Sequence, residues 1–536
     1  YDRGTLTGER PGPVNMSPPK QQTHGDYACA AALPLAKAAK RSPREIAAAL
    51  AEALGDGGGM LAKTEIAGPG FLNLFLSDDF WRGILAEVLA AGPEFIRSEA
   101  GGGRRVLVEF VSANPTGPLH IAHGRGAVTG DILARILEAA GYTVGREYYV
   151  NDLGRQVEIL GESVYLRYGE LHGRAFSLPE DFYPGEYVTE IARELVAVHG
   201  DRLLDAPRDE WLPRCRDFGV TSMLRRIRAD LEAFGITIDR FVSERELTHE
   251  VGLARTLDQL EARGHIFQAE GKRWFRSTAF GDDKDRVVAR EDGTTTYFAS
   301  DIAYHHHKFR RGFERVIDIW GADHHGYVPR IMAATEAMGF GRERLRVILI
   351  QLVNLLREGQ PVAMSTRAGE FETLRDVMTE VGKDAARFMF LTRRSDAPLD
   401  FDLELAKRQG TENPVYYVQY AHARLCSVFR TAAERGVSQD PEADLGRLHL
   451  PEELALIKRL AVWPDVVEAA AFYLEPHRVS YYLTDLAATF HAYYNRHRIL
   501  SEDTATTQTR LLLAAALKSV FANALALLSV NVPESM

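Results

Sequence analysis

The 536-residue chain has little cysteine, and its three residues of that type, Cys29, Cys215 and Cys426, lie far apart without a C-x-x-C pair. This excludes a disulfide framework and a cysteine-built zinc site, and it fits a reducing, cytoplasmic setting. Long apolar runs are also scarce. The most apolar late stretch, Leu511 to Val530, is broken by Lys518 and Asn523, so it reads as a buried helix pair and not a membrane span. No signal-peptide pattern opens the chain. Its first residue is Tyr1, which implies that the translated protein starts earlier. Positive charge is in deficit: 64 Lys and Arg against 74 Asp and Glu give a formal charge of −10. Indiscriminate nucleic-acid binding is thereby disfavoured, whereas a local basic groove is not.

With 46% hydrophobic side chains, a chain of this length buries several cores and suggests three or four domains. Residues 1–100 read as a small α+β unit. Ser42-Pro43-Arg44-Glu45 carries an N-cap, a first-turn proline and a capping-box carboxylate, Gly55 ends that helix, and Phe71 to Leu76 is a strand. The run Gly101-Gly102-Gly103 reads as a flexible break and places a boundary there. Residues 104–404 alternate strand and helix signals, which predicts a doubly wound, Rossmann-type parallel sheet. Val106 to Val111, Val316 to Trp320 and Leu345 to Leu355 are its strands, and a charged, mostly helical insertion spans about 165–290. From residue 405 to 536 strand signals vanish and amphipathic helices predict an all-α domain.

The most informative stretch is His120-Ile121-Ala122-His123-Gly124-Arg125. It follows a strand and the turn Ser112 to Pro118, whose prolines forbid continued pairing, and it opens a helix in which Val128, Ile132 and Ile136 recur until Gly141. Two imidazoles at a helix N-terminus, beside unpaired N–H groups and the positive end of the dipole, point to phosphate binding. A second loop, Ala363-Met364-Ser365-Thr366-Arg367-Ala368-Gly369, has the small residues, hydroxyl and cation expected of a lid over phosphates.

Gly321-Ala322-Asp323-His324-His325-Gly326 follows a strand, where Asp323 can accept hydrogen bonds from a ribose or an amino acid. The nearby His305-His306-His307 cannot chelate one ion, because successive helical residues point in different directions, so no metal site is expected. Glu109 and Asp301 reach neighbouring strand ends, and carboxylates brought together need a cation: a ligand guanidinium or a protein arginine. Finally, Asn413 to Arg424 interleaves aromatics with His and Arg, offering either an RNA surface or a packed core.

Together these stretches resemble the class I aminoacyl-tRNA synthetases, specifically the bacterial-type arginyl-tRNA synthetases. Val108 to His123 is similar to that family's strand and His-Ile-Gly-His signature, and Ala363 to Arg367 occupies the place of its Lys-Met-Ser-Lys-Ser signature. Tyr297 to His305, Trp320 to Tyr327 and Tyr417 to Arg424 also resemble it, in order. The resemblance implies activation of arginine with Mg·ATP to arginyl-adenylate, then transfer to cognate tRNA. It implies no tightly bound metal, no membrane role and no protein nucleophile, and a protein that acts as a monomer.

By the same resemblance His120, His123, Ser365 and Arg367 are catalytic, with Gly124 and Met364 joining the histidines and Arg367 around ATP. Glu109, Ser112, Asn114, Tyr297, Asp301 and Asp323 form the arginine pocket, with Asp301 on the guanidinium. The N-terminal unit, through Lys37, Lys40 and Arg44, and the helical domain, through Tyr417, Gln419, Tyr420, His422 and Arg424, hold tRNA. Two departures stand out: Ala122 replaces the signature glycine, and Ala363 and Thr366 replace its lysines. Because the family generally needs tRNA even for amino-acid activation, the lysine-poor loop makes that need expected here. The alternatives are another class I synthetase, a smaller adenylyltransferase, or an inactive tRNA-binding relative.

Overall fold

A computed structural model describes residues 14–362 and 372–536, apart from positions 20, 178 and 251. At its centre stand five parallel strands: β1 (Arg105–Glu109), β2 (Thr143–Val150), β3 (Arg240–Ser243), β4 (Arg315–Gly321) and β5 (Leu345–Ile350). They pair in the order β5-β4-β1-β2-β3. The chain winds outward from β1 in both directions, so β1 and β4 flank the point where the winding reverses, and such a sheet opens a crevice there beyond its carboxyl ends. Val106, Leu107 and Val108 are buried on both faces of β1, which explains its continuous apolar run. The helix Ile121–Ala139 covers the sheet with Val128, Ile132 and Ile136, all fully buried.

Two sheet details differ from expectation. β3 comes from inside the supposed insertion; its four residues, Arg-Phe-Val-Ser, are too few to show a period among charged neighbours. The run Leu345 to Leu355 is two strands, because the chain leaves β5 at Gln351 and Val353–Arg357 joins a separate small sheet with Gln360–Pro361 and Leu399–Asp402. The fully buried Arg125 guanidinium takes the carbonyls of Gln351 and Arg394 at 2.9 and 2.7 Å, which fixes that break. Between β2 and β4 the insertion adds the helices Glu186–His199 and Arg208–Ala233 and a three-stranded antiparallel sheet, which includes Lys272–Phe275.

The N-terminal strands form a four-stranded antiparallel sheet, and the predicted capping box is present: Glu45 N donates to Ser42 Oγ at 3.3 Å and Ser42 N to Glu45 Oε2 at 2.9 Å. Gly101–Gly103 is not a free linker. Gly101 N donates to Ala140 O at 2.7 Å and Gly103 N to Gly141 O at 2.8 Å, and a Cβ on Gly101 would sit 2.5 Å from the Gly141 backbone. These glycines permit close backbone approach. Moreover, the helix Asp78–Ala91 buries Trp81, Leu85 and Val88 in the main core with Leu456 and Leu460, and Arg82 Nε donates to Leu448 O at 3.0 Å. A cut at residue 100 would therefore open the core, whereas the antiparallel sheet ends at Leu76.

After Leu403–Lys407 the described chain is helical, ending in Thr504–Leu527. The expected helix pair is thus one 24-residue helix: Lys518 and Asn523 sit on its half-buried side and do not interrupt it. It is long and apolar enough to cross a membrane, but Leu513, Leu517, Phe521 and Ala524 are packed inside the protein core. Buried Arg387 pairs with Asp131 and donates to Phe234 O and Leu528 O, both at 2.9 Å, tying the sheet's covering helix to the chain's end.

Candidate active site

Beyond the carboxyl ends of β1 and β4 lies a cavity of about 600 Å3. Its walls include His120, Ala122 and His123 at one end and Glu109, Ser112, Asn114, Tyr297, Asp301 and Asp323 at the other. The chain enters it through a tight turn. Ser112 N donates to Phe110 O at 3.0 Å around Val111, whose φ of 69° lies in the left-handed region that β-branched residues avoid. This turn lets Ser112 Oγ donate to Glu109 Oε1 at 2.9 Å, while Ser112 Oγ itself accepts from Tyr149 N at 3.0 Å. Asn114 is exposed and bonds Gln156 at 2.8 Å, and Asp323 stands at the rim beside His324.

The two histidines form a stacked pair with ring centroids 3.7 Å apart. His120 N donates to His123 Nδ1 at 3.2 Å, so the proton of neutral His123 sits on Nε2, where it can be donated outward. Burial lowers both imidazoles below their ordinary range, and burial with the neighbouring His120 takes His123 to about 3. Near pH 7 they are therefore neutral donors, and attraction for a phosphate comes from the helix N-terminus beneath them. A Cβ on Gly124 would meet Leu374 Cδ1 at 2.6 Å, so its bare backbone allows close packing of this helix. Ala122 is the residue that lines the wall. Met364, Ser365 and Arg367 lie outside the described residues. The chain resumes close by, with Thr373 bridged to His120 and Leu374 N donating to Leu119 O at 2.7 Å.

The opposite end is densely charged. Fully buried Lys308 pairs with Glu109, and its Nζ lies 2.8 Å from Asp318 Oδ1. Burial opposes that charge, but Asp318, Glu109 and Glu147 prevail and hold the ammonium above its usual range. His305 Nε2 is 2.8 Å from Asp318 Oδ2, and its Nδ1 is 2.8 Å from Asp301 O. Glu147 takes Arg311 and the Tyr304 hydroxyl. Asp301 accepts from the Tyr327 hydroxyl and has no lysine or arginine partner among the described residues. Burial pushes its carboxyl up to about 7, against the opposing pull of Tyr327 and His305 and with help from Glu244 and Glu109. Glu244, at the carboxyl end of β3, is likewise raised by burial.

Glu109 thus takes a protein cation, a lysine in place of the expected arginine or ligand, while Asp301 remains available. Sequence reasoning misses Lys308, Asp318, Tyr327 and Glu244 as site residues. A signal exists for the first: Tyr297, Asp301, His305 and Lys308 follow one another at four, four and three residues, which places them on one face of the helix Tyr297–Arg310. The triple histidine divides its contacts, His305 toward Asp318 and His306 toward Thr256.

Elsewhere, Lys37, Lys40 and Arg44 are placed on the N-terminal unit, with Lys37 and Lys40 exposed and Arg44 Nη1 donating to Gly68 O at 2.6 Å. On the helix Pro414–Glu434, Tyr420 stacks under Arg424 at 4.4 Å, Tyr417 packs on His491, and Gln419 bonds Asp384 at 2.9 Å. His422 is buried and bonds Pro533 O at 2.8 Å, which removes it from any RNA-facing surface.

Three family models match. Residues 7–76 match the arginyl tRNA synthetase N-terminal domain, 85–175 and 203–397 the class I (R) tRNA synthetase catalytic domain, and 418–536 the DALR anticodon-binding domain. An arginine--tRNA ligase of Syntrophotalea carbinolica is 53% identical over 98% of this chain and 95% of its own length. One of Desulfosudis oleivorans is 51% identical over 100% and 97%. The Thermus thermophilus arginyl-tRNA synthetase structure shares the fold, with a TM-score of 0.76 at 24% identity over 98% and 96% of the two chains. A doubly wound sheet with paired histidines at its crevice, an N-terminal unit and a helical C-terminus, matched end to end, place the chain in the arginyl-tRNA synthetase family.

Proposed function

We propose that the chain activates arginine with Mg·ATP and transfers it to cognate tRNA, and that the cavity between the histidine pair and Asp301 is where activation occurs. In that step the carboxylate of arginine attacks the α-phosphorus, the bond to the bridging oxygen breaks, and pyrophosphate leaves. No protein atom is a nucleophile; the residues orient substrates and answer developing charge. His123 Nε2–H and His120 donate to phosphate oxygens above the helix N-terminus. Asp301 pairs with the guanidinium, whose planar fork matches two carboxylate oxygens where an ammonium does not. Tyr297 covers the side chain, while Ser112, Asn114, Asp323 and Glu109 surround the amino-acid end. Met364, Ser365 and Arg367 contribute to binding the triphosphate.

Residues up to 76, with Lys37, Lys40 and Arg44, contact the tRNA body, and Tyr417, Gln419, Tyr420 and Arg424 belong to the tRNA-facing part of the helical domain. The observation that carries this reading is the buried Asp301 carboxylate, without a lysine or arginine partner among the described residues, sharing a cavity with the two histidines. Its test is ATP–pyrophosphate exchange with each of the twenty amino acids, with and without tRNA whose terminal ribose cannot be charged. Exchange should appear with arginine alone among them, and only when tRNA is present. Equal exchange with lysine would overturn the assignment of the pocket, and robust exchange without tRNA would overturn the coupling.

A further inference from the structure

The cations under the pocket are already committed. Both ring nitrogens of His305 lie 2.8 Å from oxygen acceptors, the Asp301 carbonyl and the Asp318 carboxylate, so the ring spans from one acid's backbone to the other's side chain. Lys308 donates to Asp318 at 2.8 Å and to Glu109, and it lies 4.3 Å from the Tyr304 ring centroid. Lys308 therefore answers two carboxylates, Glu109 and Asp318, with His305 against the second, in a buried cluster behind the cavity wall, and Arg311 separately answers Glu147. Asp301 stands outside that balance although it is one helical turn from His305.

We infer that Lys308 is a positioning residue for amino-acid binding: by neutralising Glu109 and Asp318 it directs the substrate guanidinium to Asp301. It touches no substrate itself. Without Lys308, Glu109 lies free at the cavity wall and competes for the guanidinium, and the surplus buried charge draws in a proton or displaces the side chain. A lysine kept only for packing would show none of this dependence on its neighbours' charge.

This inference rests on the proposed pocket, so the experiment includes Asp301→Asn as a separate arm. KM for arginine and for ATP are measured in tRNA-dependent exchange for Lys308→Met, Asp318→Asn and the double variant, with thermal midpoints and tRNA affinity as checks on folding. Lys308→Met leaves the cluster one charge too negative and Asp318→Asn one too positive, so each should raise KM for arginine by about tenfold or more while KM for ATP moves less than about twofold. The double variant restores the original net charge and should recover most of the loss. A double variant as impaired as the two singles multiplied together, or arginine and ATP constants moving in step, would overturn the inference. Should Lys308→Met fail to fold, Asp318→Asn decides: an unchanged KM for arginine there also overturns it. If Asp301→Asn leaves that KM unchanged, it is the pocket assignment that fails.

Discussion

The histidine end and the carboxylate end of one cavity handle charge by opposite means. His120 and His123 are neutral and rest on the partial charges of a helix terminus, whereas around Asp301 full charges are buried and nearly all are answered by protein cations. A triphosphate brings its own charge and counterion, so its site needs only oriented donors. A guanidinium needs a carboxylate that the protein has left without a cation, and among the described residues at this end Asp301 and Glu244 are so left while Glu109, Glu147 and Asp318 are answered.

The sharpest way to break this contrast is Asp301→Asn. Removing the charge opposite a buried guanidinium should cost about 3–5 kcal/mol in arginine binding, with ATP binding nearly untouched. Isothermal titration with arginine in the presence of tRNA measures it, and equal loss for both substrates would erase the division. Next, His123→Ala should raise the barrier to adenylate formation by roughly 2–3 kcal/mol, the scale of one lost donor to developing charge. Single-turnover kinetics separates this from affinity; a defect confined to KM for arginine would move His123 to the other end of the cavity.

Acidity should distinguish the two ends without any substitution. Because the Asp301 carboxyl is pushed up to about 7, it must lose a proton before pairing with arginine in more acid solution. KM for arginine should rise about tenfold per pH unit below 7 and level off above it. The histidines, held below their ordinary range, contribute no step there. A flat arginine profile from pH 6 to 8 would contradict the assignment. The smallest effect is expected from removing residues 1–76, which should weaken tRNA binding by about 1 kcal/mol at low salt, fading as salt rises, and leave both ends of the cavity intact. Titrations at two salt concentrations test it.

The amino-acid sequence makes much of this legible, and does so unevenly. The strand, turn and helix around His120 declare themselves because a continuous apolar run, a Pro/Gly turn and a 3.6-residue period succeed one another there. β3 does not, since four edge residues have no period to show. Gly101–Gly103 reads as slack because sequence cannot distinguish glycines that free a chain from glycines that let two backbones touch. Asp301 is identifiable as a candidate pocket acid, and it does line the cavity. Its difference from Glu109 is not identifiable, because that difference is made by Lys308, 199 residues away from Glu109 in the chain and adjacent only once the sheet has formed.

Val111 has a consequence for how such a chain changes over time. Holding a β-branched residue in the left-handed region costs on the order of 1–3 kcal/mol, and a fold of ordinary stability keeps such a residue only where something else depends on it. Here that dependant is the Ser112 hydroxyl, set between Glu109 and Tyr149. Selection for heat resistance alone would relax position 111 early, and the survivors would be sturdier proteins in which the Ser112 hydroxyl is no longer held between Glu109 and Tyr149.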